Sequence, residues 1–291
     1  MAAALLKDFI AEGVSRLGTL YRDREAASLV NILCEEILGV RRYTHVTDPL
    51  FEIPEEILPG LEDCLRRLCD GEPLQYILGR QIFCDRTFKV TPAVLIPRQE
   101  TEMLVGEALE WLADKTDARV LDLCTGSGCI AWSIALSRPG TAVTAIDISE
   151  EALEVARSQE FEDLHAGGVI PPRFLQADIF GKWRPDEDGP FDLIIANPPY
   201  VMVSQRAQMQ RNVLEYEPHV ALFAPEDDPL AFYRAIAAWA STCLKDGGLG
   251  LVEINDALGL ETAAVFRDGN YKKCSVLKDV FDRCRAVRFT K

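Results

Sequence analysis

Asn197-Pro198-Pro199-Tyr200 follows directly on the apolar run Phe191-Asp192-Leu193-Ile194-Ile195-Ala196. The run is short, rich in branched residues and ended by a turn signal, which is the pattern of a buried parallel strand. Pro198 and Pro199 stop the strand and fix the backbone that leaves its carboxyl end, the end at which open α/β sheets bind ligands. Three groups are delivered there together. The side-chain oxygen of Asn197 and the carbonyl of Pro198 are acceptors for the two hydrogens of an NH2 group. The ring of Tyr200 is a surface on which a planar group can stack, with Pro199 stiffening the turn between them. This is chemistry for an exocyclic amine or a carboxamide.

A second constellation lies upstream. Arg119-Val120-Leu121-Asp122-Leu123-Cys124 is another buried-strand pattern, running into Thr125-Gly126-Ser127-Gly128 and then an apolar helix from Ile130 to Leu136. Glycines at a strand-to-helix turn allow a ligand close to the backbone, with a helix N-terminus behind it. The next strand, Ala142 to Ile146, ends in Asp147, placed to accept hydrogen bonds from ribose hydroxyls. Gly126, Gly128 and Ala131 fit the dinucleotide fingerprint, so a nicotinamide enzyme is one reading and a plain structural turn another. Asp122 favours neither. A carboxylate inside the first strand would repel a pyrophosphate, whereas it suits a cationic sulfonium or an amino acid group.

Taken together, Asp122-x-Cys124-x-Gly126-x-Gly128, Asp147, Asp178 and Asn197-Pro-Pro-Tyr200 resemble the motifs of class I S-adenosylmethionine-dependent methyltransferases. Gly71-Glu72-Pro73-Leu74-Gln75-Tyr76, Ile96-Pro97-Arg98-Gln99-Glu100-Thr101-Glu102 and Glu217-Pro218 narrow the likeness. They resemble the HemK family of glutamine methyltransferases, which modify peptide chain release factors. The likeness runs in order from residue 71 to 291, and the part before it matches in helical character. The resemblance implies S-adenosylmethionine as cofactor, held by Asp122, Cys124, Thr125, Gly126, Ser127, Gly128, Asp147, Asp178, Ile179 and Asn197. It implies a protein substrate whose glutamine amide is gripped by Asn197, Pro198, Pro199 and Tyr200. Cys124 departs from the family, which usually has glycine there, and a slightly tighter pocket is expected. Ile179 stands where relatives can carry a tryptophan, so aliphatic packing against adenine is expected. Asp178 has two readings, an acceptor for the adenine amino group or a cap on the following turn. Arg98, Glu100 and Glu102 likewise either touch the ligands or serve the start of a helix.

Other readings share the clamp. A ribosomal-protein glutamine methyltransferase would need the same residues, an adenine amino-methyltransferase of DNA would present a similar NH2, and a silent scaffold could keep the fold without transfer. Composition bears on these. The chain has 31 basic and 46 acidic residues and a net charge of −15, which counts against direct binding of DNA, since nucleic-acid affinity rests on neutralising phosphates. The acidic surface is spread over the chain, aiding solubility or steering a basic protein partner. Nine cysteines without a C-x-x-C pair fit thiols in a reducing compartment; Cys124 and Cys129 read as packing residues. His45, His165 and His219 have no metal spacing. The apolar runs are too short for a membrane span and the start lacks a basic region before its short apolar run, so a cytoplasmic enzyme is expected.

The elements that must position these residues can be read from periodicity. Before residue 75, apolar positions recur at helical spacing: Leu5-Phe9, Ala26-Leu29-Val30-Leu33-Ile37 and Ile57-Leu61-Cys64-Leu65-Leu68. Pro54 suits a first helical position and Gly71 the residue past a helix end. Residues 1–75 are therefore expected to form a small helical bundle, which the resemblance implies is a substrate-recognition domain. Residues 76–96 should form a connecting β-hairpin. From 97 to 291, strands near 119–124, 141–147, 172–177, 191–196 and 248–254 alternate with helices, the pattern of a doubly wound, mostly parallel α/β sheet. The strands Lys273–Asp279 and Cys284–Thr290 lack an intervening helix, giving the antiparallel C-terminal hairpin of class I methyltransferases.

Overall fold

Helical spacing of apolar residues builds the first part of the molecule. In the computed structural model, which describes residues 4–165, 167–181 and 189–291, helices Leu6–Leu17, Asp23–Leu38 and Leu58–Cys69 bring Leu6, Leu17, Val30, Leu33, Leu61 and Leu65 into one buried cluster. Pro59, not Pro54, stands in the first turn of the third helix. Pro54 instead accepts from the amides of Ile57 and Leu58 in the turn before it. The unit comprises Met1–Gly79 and a returning segment, Gln210–Tyr216, which no local signal announces. The Tyr216 hydroxyl donates to the carbonyl of Asp70 at 3.1 Å.

The second unit comprises Arg80–Met209 and Glu217–Lys291. Its first strands, β1 (Arg80–Phe83) and β2 (Arg86–Lys89), pair antiparallel. They turn through Cys84 and Asp85, both at positive φ (47° and 59°), the backbone that a two-residue hairpin needs to match strand twist. The segment expected as a connection is only partly strand, since Leu74–Leu78 is a short helix. Phe83 and Phe88 are fully buried in the core of the second unit.

The main sheet contains β3 (Arg119–Leu123), β4 (Ala142–Asp147), β5 (Arg173–Gln176), β6 (Phe191–Ala196), β7 (Leu244–Glu253), β8 (Lys272–Lys278) and β9 (Cys284–Thr290). Their order across the sheet is β5-β4-β3-β6-β7-β9-β8. The first five are parallel, while β9 runs antiparallel to both β7 and β8. Apolar side chains cover both faces in two separate clusters, as expected of a sheet covered on both sides. Helix Cys129–Ser137 has eight buried residues and no polar face. Among the described residues no helix is long and apolar enough to cross a membrane, and all nine cysteines are free.

Register sets the site. Leu123 lies opposite Ile146 on one side and Ala196 on the other, so Cys124, Asp147 and Asn197 leave three neighbouring strands at the same edge. The chain passes from β3 outward to β4 and β5, then returns to lay β6 on the other side of β3. The reversal between β3 and β6 is a topological switch point, where the loops diverge and leave a crevice.

Candidate active site

That crevice is a cavity of about 290 Å³. Thr125, Gly126 and Ser127 line it from the glycine loop, Asp147 and Ile148 from the end of β4, Asp178 and Ile179 from beyond β5, and Asn197 and Pro199 from beyond β6. Cys124 also faces it, whereas Asp122, Gly128, Pro198 and Tyr200 do not line it.

The two glycines do different work. Gly126 has φ +56° and nothing within 4 Å of where a Cβ would stand, so its backbone is open to a ligand. Gly128, at φ +77°, caps the helix, and a Cβ there would lie 3.1–3.2 Å from Ala156 and Phe174; its lack of a side chain serves packing. Cys124 holds φ 61°, the left-handed region that costs an L-residue roughly 1–2 kcal/mol. The strained backbone explains why glycine suits this position. Burial and the charges of Asp147 and Asp122 push the Cys124 thiol well above its ordinary range, leaving it a neutral wall rather than a nucleophile.

Asp147 is held in place by backbone amides. Gly126 N–H donates to Oδ2 at 2.8 Å and Ser149 N–H to Oδ1 at 3.0 Å. Burial raises its pKa and these amides oppose the rise. A carboxylate offers about four acceptor positions, so the two amide bonds leave room for two hydroxyl donors. Asp178 accepts from the Phe180 amide at 2.9 Å through Oδ1. It therefore caps its turn, and it also lines the cavity. Ile179 lines the wall and accepts from the Trp239 indole through its carbonyl.

Asp122 departs from expectation. It is fully buried and bound by the Thr125 hydroxyl at 2.6 Å, while Oδ1 has no hydrogen-bond partner. Burial pushes its pKa from the ordinary 3.8 up to about 7. Since the folded state binds this proton more tightly than the unfolded chain, Asp122 makes stability fall as pH rises from 3.8 through about 7. The slope is at most about 1.4 kcal/mol per pH unit. Chemical denaturation across that window should show the gap between the native protein and Asp122→Asn changing by this sign; a pH-independent gap refutes the assignment.

The loop after β6 is fixed at several points. Asn197 Nδ2 donates to Thr101 Oγ1 at 3.2 Å, and Thr101 donates to Glu253 Oε2 at 2.6 Å. The Tyr200 hydroxyl donates to Glu253 Oε1 at 2.9 Å, and Asn255 Nδ2 donates to the Tyr200 carbonyl. Tyr200 thus anchors the loop behind the cavity, with its hydroxyl turned toward buried Glu253. Val201 pairs with the backbone of Leu222 and Ala224. Arg98 donates to buried Glu217 at 2.5 Å, and the other oxygen of Glu217 accepts from the Ile96 amide. Glu100 pairs with Arg285 and Glu102 accepts from the Cys84 amide. The Arg98–Glu217 pair ties the segment around Pro97 to the one before Val220, and Pro97, Val220 and Ala221 line the cavity. Sequence reasoning missed Thr101 and Glu253 as site residues; the available signal was a carboxylate closing the apolar run Leu249–Val252. Among the described residues no cluster could hold a metal.

The donor set fits S-adenosylmethionine. Among the described residues the lining carries Asp147 and Asp178 and no lysine or arginine, wrong for a pyrophosphate and right for a sulfonium with a ribose and an amino acid group. Ile148, Ile179, Phe180 and Phe232 supply an apolar wall for a flat base.

Comparison with known proteins agrees. Residues 8–79 match the PrmC N-terminal domain and residues 101–216 the methyltransferase small domain. The release factor glutamine methyltransferase of Bacteroides thetaiotaomicron is 38% identical over 276 residues, 93% of this chain and 95% of the relative. The chain belongs to the release factor glutamine methyltransferase family. The Flavobacterium psychrophilum member is 34% identical over 98% of both chains. A solved protein-(glutamine-N5) methyltransferase from Alicyclobacillus acidocaldarius is 30% identical, matching 70% of this chain and 99% of its own with a TM-score of 0.41. As a member of the family, this protein is an S-adenosylmethionine-dependent methyltransferase.

Proposed function

We propose that the protein methylates the side-chain amide nitrogen of a glutamine in a peptide chain release factor. The observation that carries the reading is that Asn197 and Asp147 line one cavity, a carboxamide clamp beside a cofactor anchor. An amide nitrogen is a poor nucleophile because its lone pair is delocalised into the carbonyl. Orientation is thus the main contribution open to the protein, and in favourable cases it supplies roughly 7–11 kcal/mol. Asn197 Oδ1 and the Pro198 carbonyl accept the two amide hydrogens and turn the lone pair toward the methyl carbon. The Tyr200 ring bounds the amide plane, and the anchored loop keeps these acceptors in place as positive charge develops on nitrogen. S-adenosylmethionine, when bound, would supply the methyl group, its sulfur leaving as a neutral thioether, and the alkylated nitrogen gives one of its protons to water to restore a neutral amide.

Incubation with S-adenosylmethionine and a purified release factor, followed by peptide mass spectrometry, should place one methyl group on a glutamine side chain. An unmodified release factor beside a methylated ribosomal protein would transfer the reading to the second substrate.

The helical unit is assigned here to gripping the protein substrate. Tyr43, Val46 and Leu50 are 65%, 64% and 73% exposed on it, a small apolar group of the kind that anchors a partner. Val46→Ser with Leu50→Ser should raise KM for the intact release factor about five- to tenfold, the cost of losing an ordinary interface anchor. The rate on a short glutamine peptide should stay the same. Equal loss on both substrates defeats the assignment.

A further inference from the structure

Asn197 is an amide, and an amide works as a hydrogen-bond acceptor for substrate only if its oxygen, and not its NH2, faces the cavity. Nothing in the residue itself decides which end turns out. Turned round, the same side chain would present two donors to the NH2 of a glutamine and repel it.

The chain of hydrogen bonds behind it decides. Glu253 is 3% exposed at the end of β7, and its two oxygens accept from two hydroxyls, Thr101 at 2.6 Å and Tyr200 at 2.9 Å. Burial raises the pKa of Glu253 and the two hydroxyl bonds oppose the rise; as the acceptor of both hydroxyls, Glu253 takes the only proton of Thr101. The oxygen of Thr101, itself 1% exposed, is then left solely as an acceptor, and the group 3.2 Å from it is the amide of Asn197. Only the NH2 end satisfies that bond. The direction is thus set at Glu253 and passed through Thr101 to the clamp. We infer that Thr101 and Glu253 are positioning residues for methyl transfer: by fixing the direction of this chain they hold the Asn197 carboxamide with its oxygen toward the substrate.

The arrangement has a cost that makes a purely structural role a poor account of it. A buried carboxylate carries a desolvation penalty, and here two neutral hydroxyls compensate it. An apolar residue at this position would meet β7's other neighbours without that penalty, but it would leave Thr101 free to donate toward Asn197 and reverse the amide.

The inference rests on the proposed glutamine reaction, and the test separates the two. Single-turnover transfer to the release factor is measured at saturating S-adenosylmethionine for Thr101→Val, Thr101→Ser, Asn197→Ala and the double variant Thr101→Val/Asn197→Ala. Thr101→Val removes the hydroxyl with little change of shape. It should slow transfer roughly tenfold, the worth of one hydrogen bond, with cofactor affinity and KM for the release factor unchanged. Thr101→Ser, which keeps the hydroxyl, should recover the rate. Because Thr101 acts through Asn197, the double variant should be no slower than Asn197→Ala alone. A further full loss in the double variant, or a normal rate for Thr101→Val, overturns the positioning role while leaving the reaction standing. A near-normal rate for Asn197→Ala alone removes the clamp reading and this role with it.

Discussion

Replacing Asn197 by alanine should leave S-adenosylmethionine binding nearly intact while slowing methyl transfer about a hundred- to a thousandfold. The size follows from deleting one preorganised hydrogen bond aimed at a charge that develops in the transition state. The structure supports a clean experiment because the Asn197 loop is held independently at Tyr200 and Val201, so removing one side chain does not release the backbone. Saturating single-turnover kinetics separate the chemical step from binding. The same clamp predicts discrimination. A release factor carrying glutamate in place of the target glutamine lacks the NH2 donors, leaves both acceptors unpaired and should be rejected. Near-normal transfer by the variant would sink the mechanism even if glutamine proves to be the methylated residue.

Asp147→Ala should weaken S-adenosylmethionine binding by roughly tenfold to more than a hundredfold, since a hydrogen bond to a charged group contributes about 1.5–3 kcal/mol. Two effects add here. The ribose hydroxyls lose their acceptor, and the amides of Gly126 and Ser149, which Asp147 holds at 2.8 and 3.0 Å, lose their anchor. Asp147→Asn keeps an acceptor oxygen but loses the charge, so its affinity should fall between the two. Titration calorimetry reads the effect directly, and transfer at saturating cofactor should change far less than affinity. An unchanged dissociation constant for Asp147→Ala removes the residue from the cofactor site.

Much of this site was legible because covalent order carries it. Gly126, Asp147, Asp178 and Asn197 each come after a strand whose apolar run announces itself, and every parallel strand delivers its trailing residues to the same edge of the sheet. The motif around Ile96 to Glu102 was legible as a signature but not as a job: Arg98 braces Glu217 from 119 positions away, a pairing that no local pattern predicts. Asp122 and Asp147 look equivalent in sequence, as carboxylates within or ending neighbouring strands. Their difference lies in surroundings, since Asp122 is sealed in the core under Thr125 while Asp147 stands at the open edge.

The sequence by itself determined the alternation of strands and helices, the glycine loop and the Asn-Pro-Pro-Tyr loop after β6, because these depend on local periodicity and on residues that are neighbours along the chain. Tertiary structure decided which atoms face the cavity. It returned Gln210–Tyr216 to the helical unit, turned the Tyr200 hydroxyl inward and set Thr101 between Asn197 and Glu253, 96 and 152 positions away respectively. The reason is physical: a hydrogen bond has a direction and a short reach, so its partners are fixed by packing of distant segments, which local sequence does not encode.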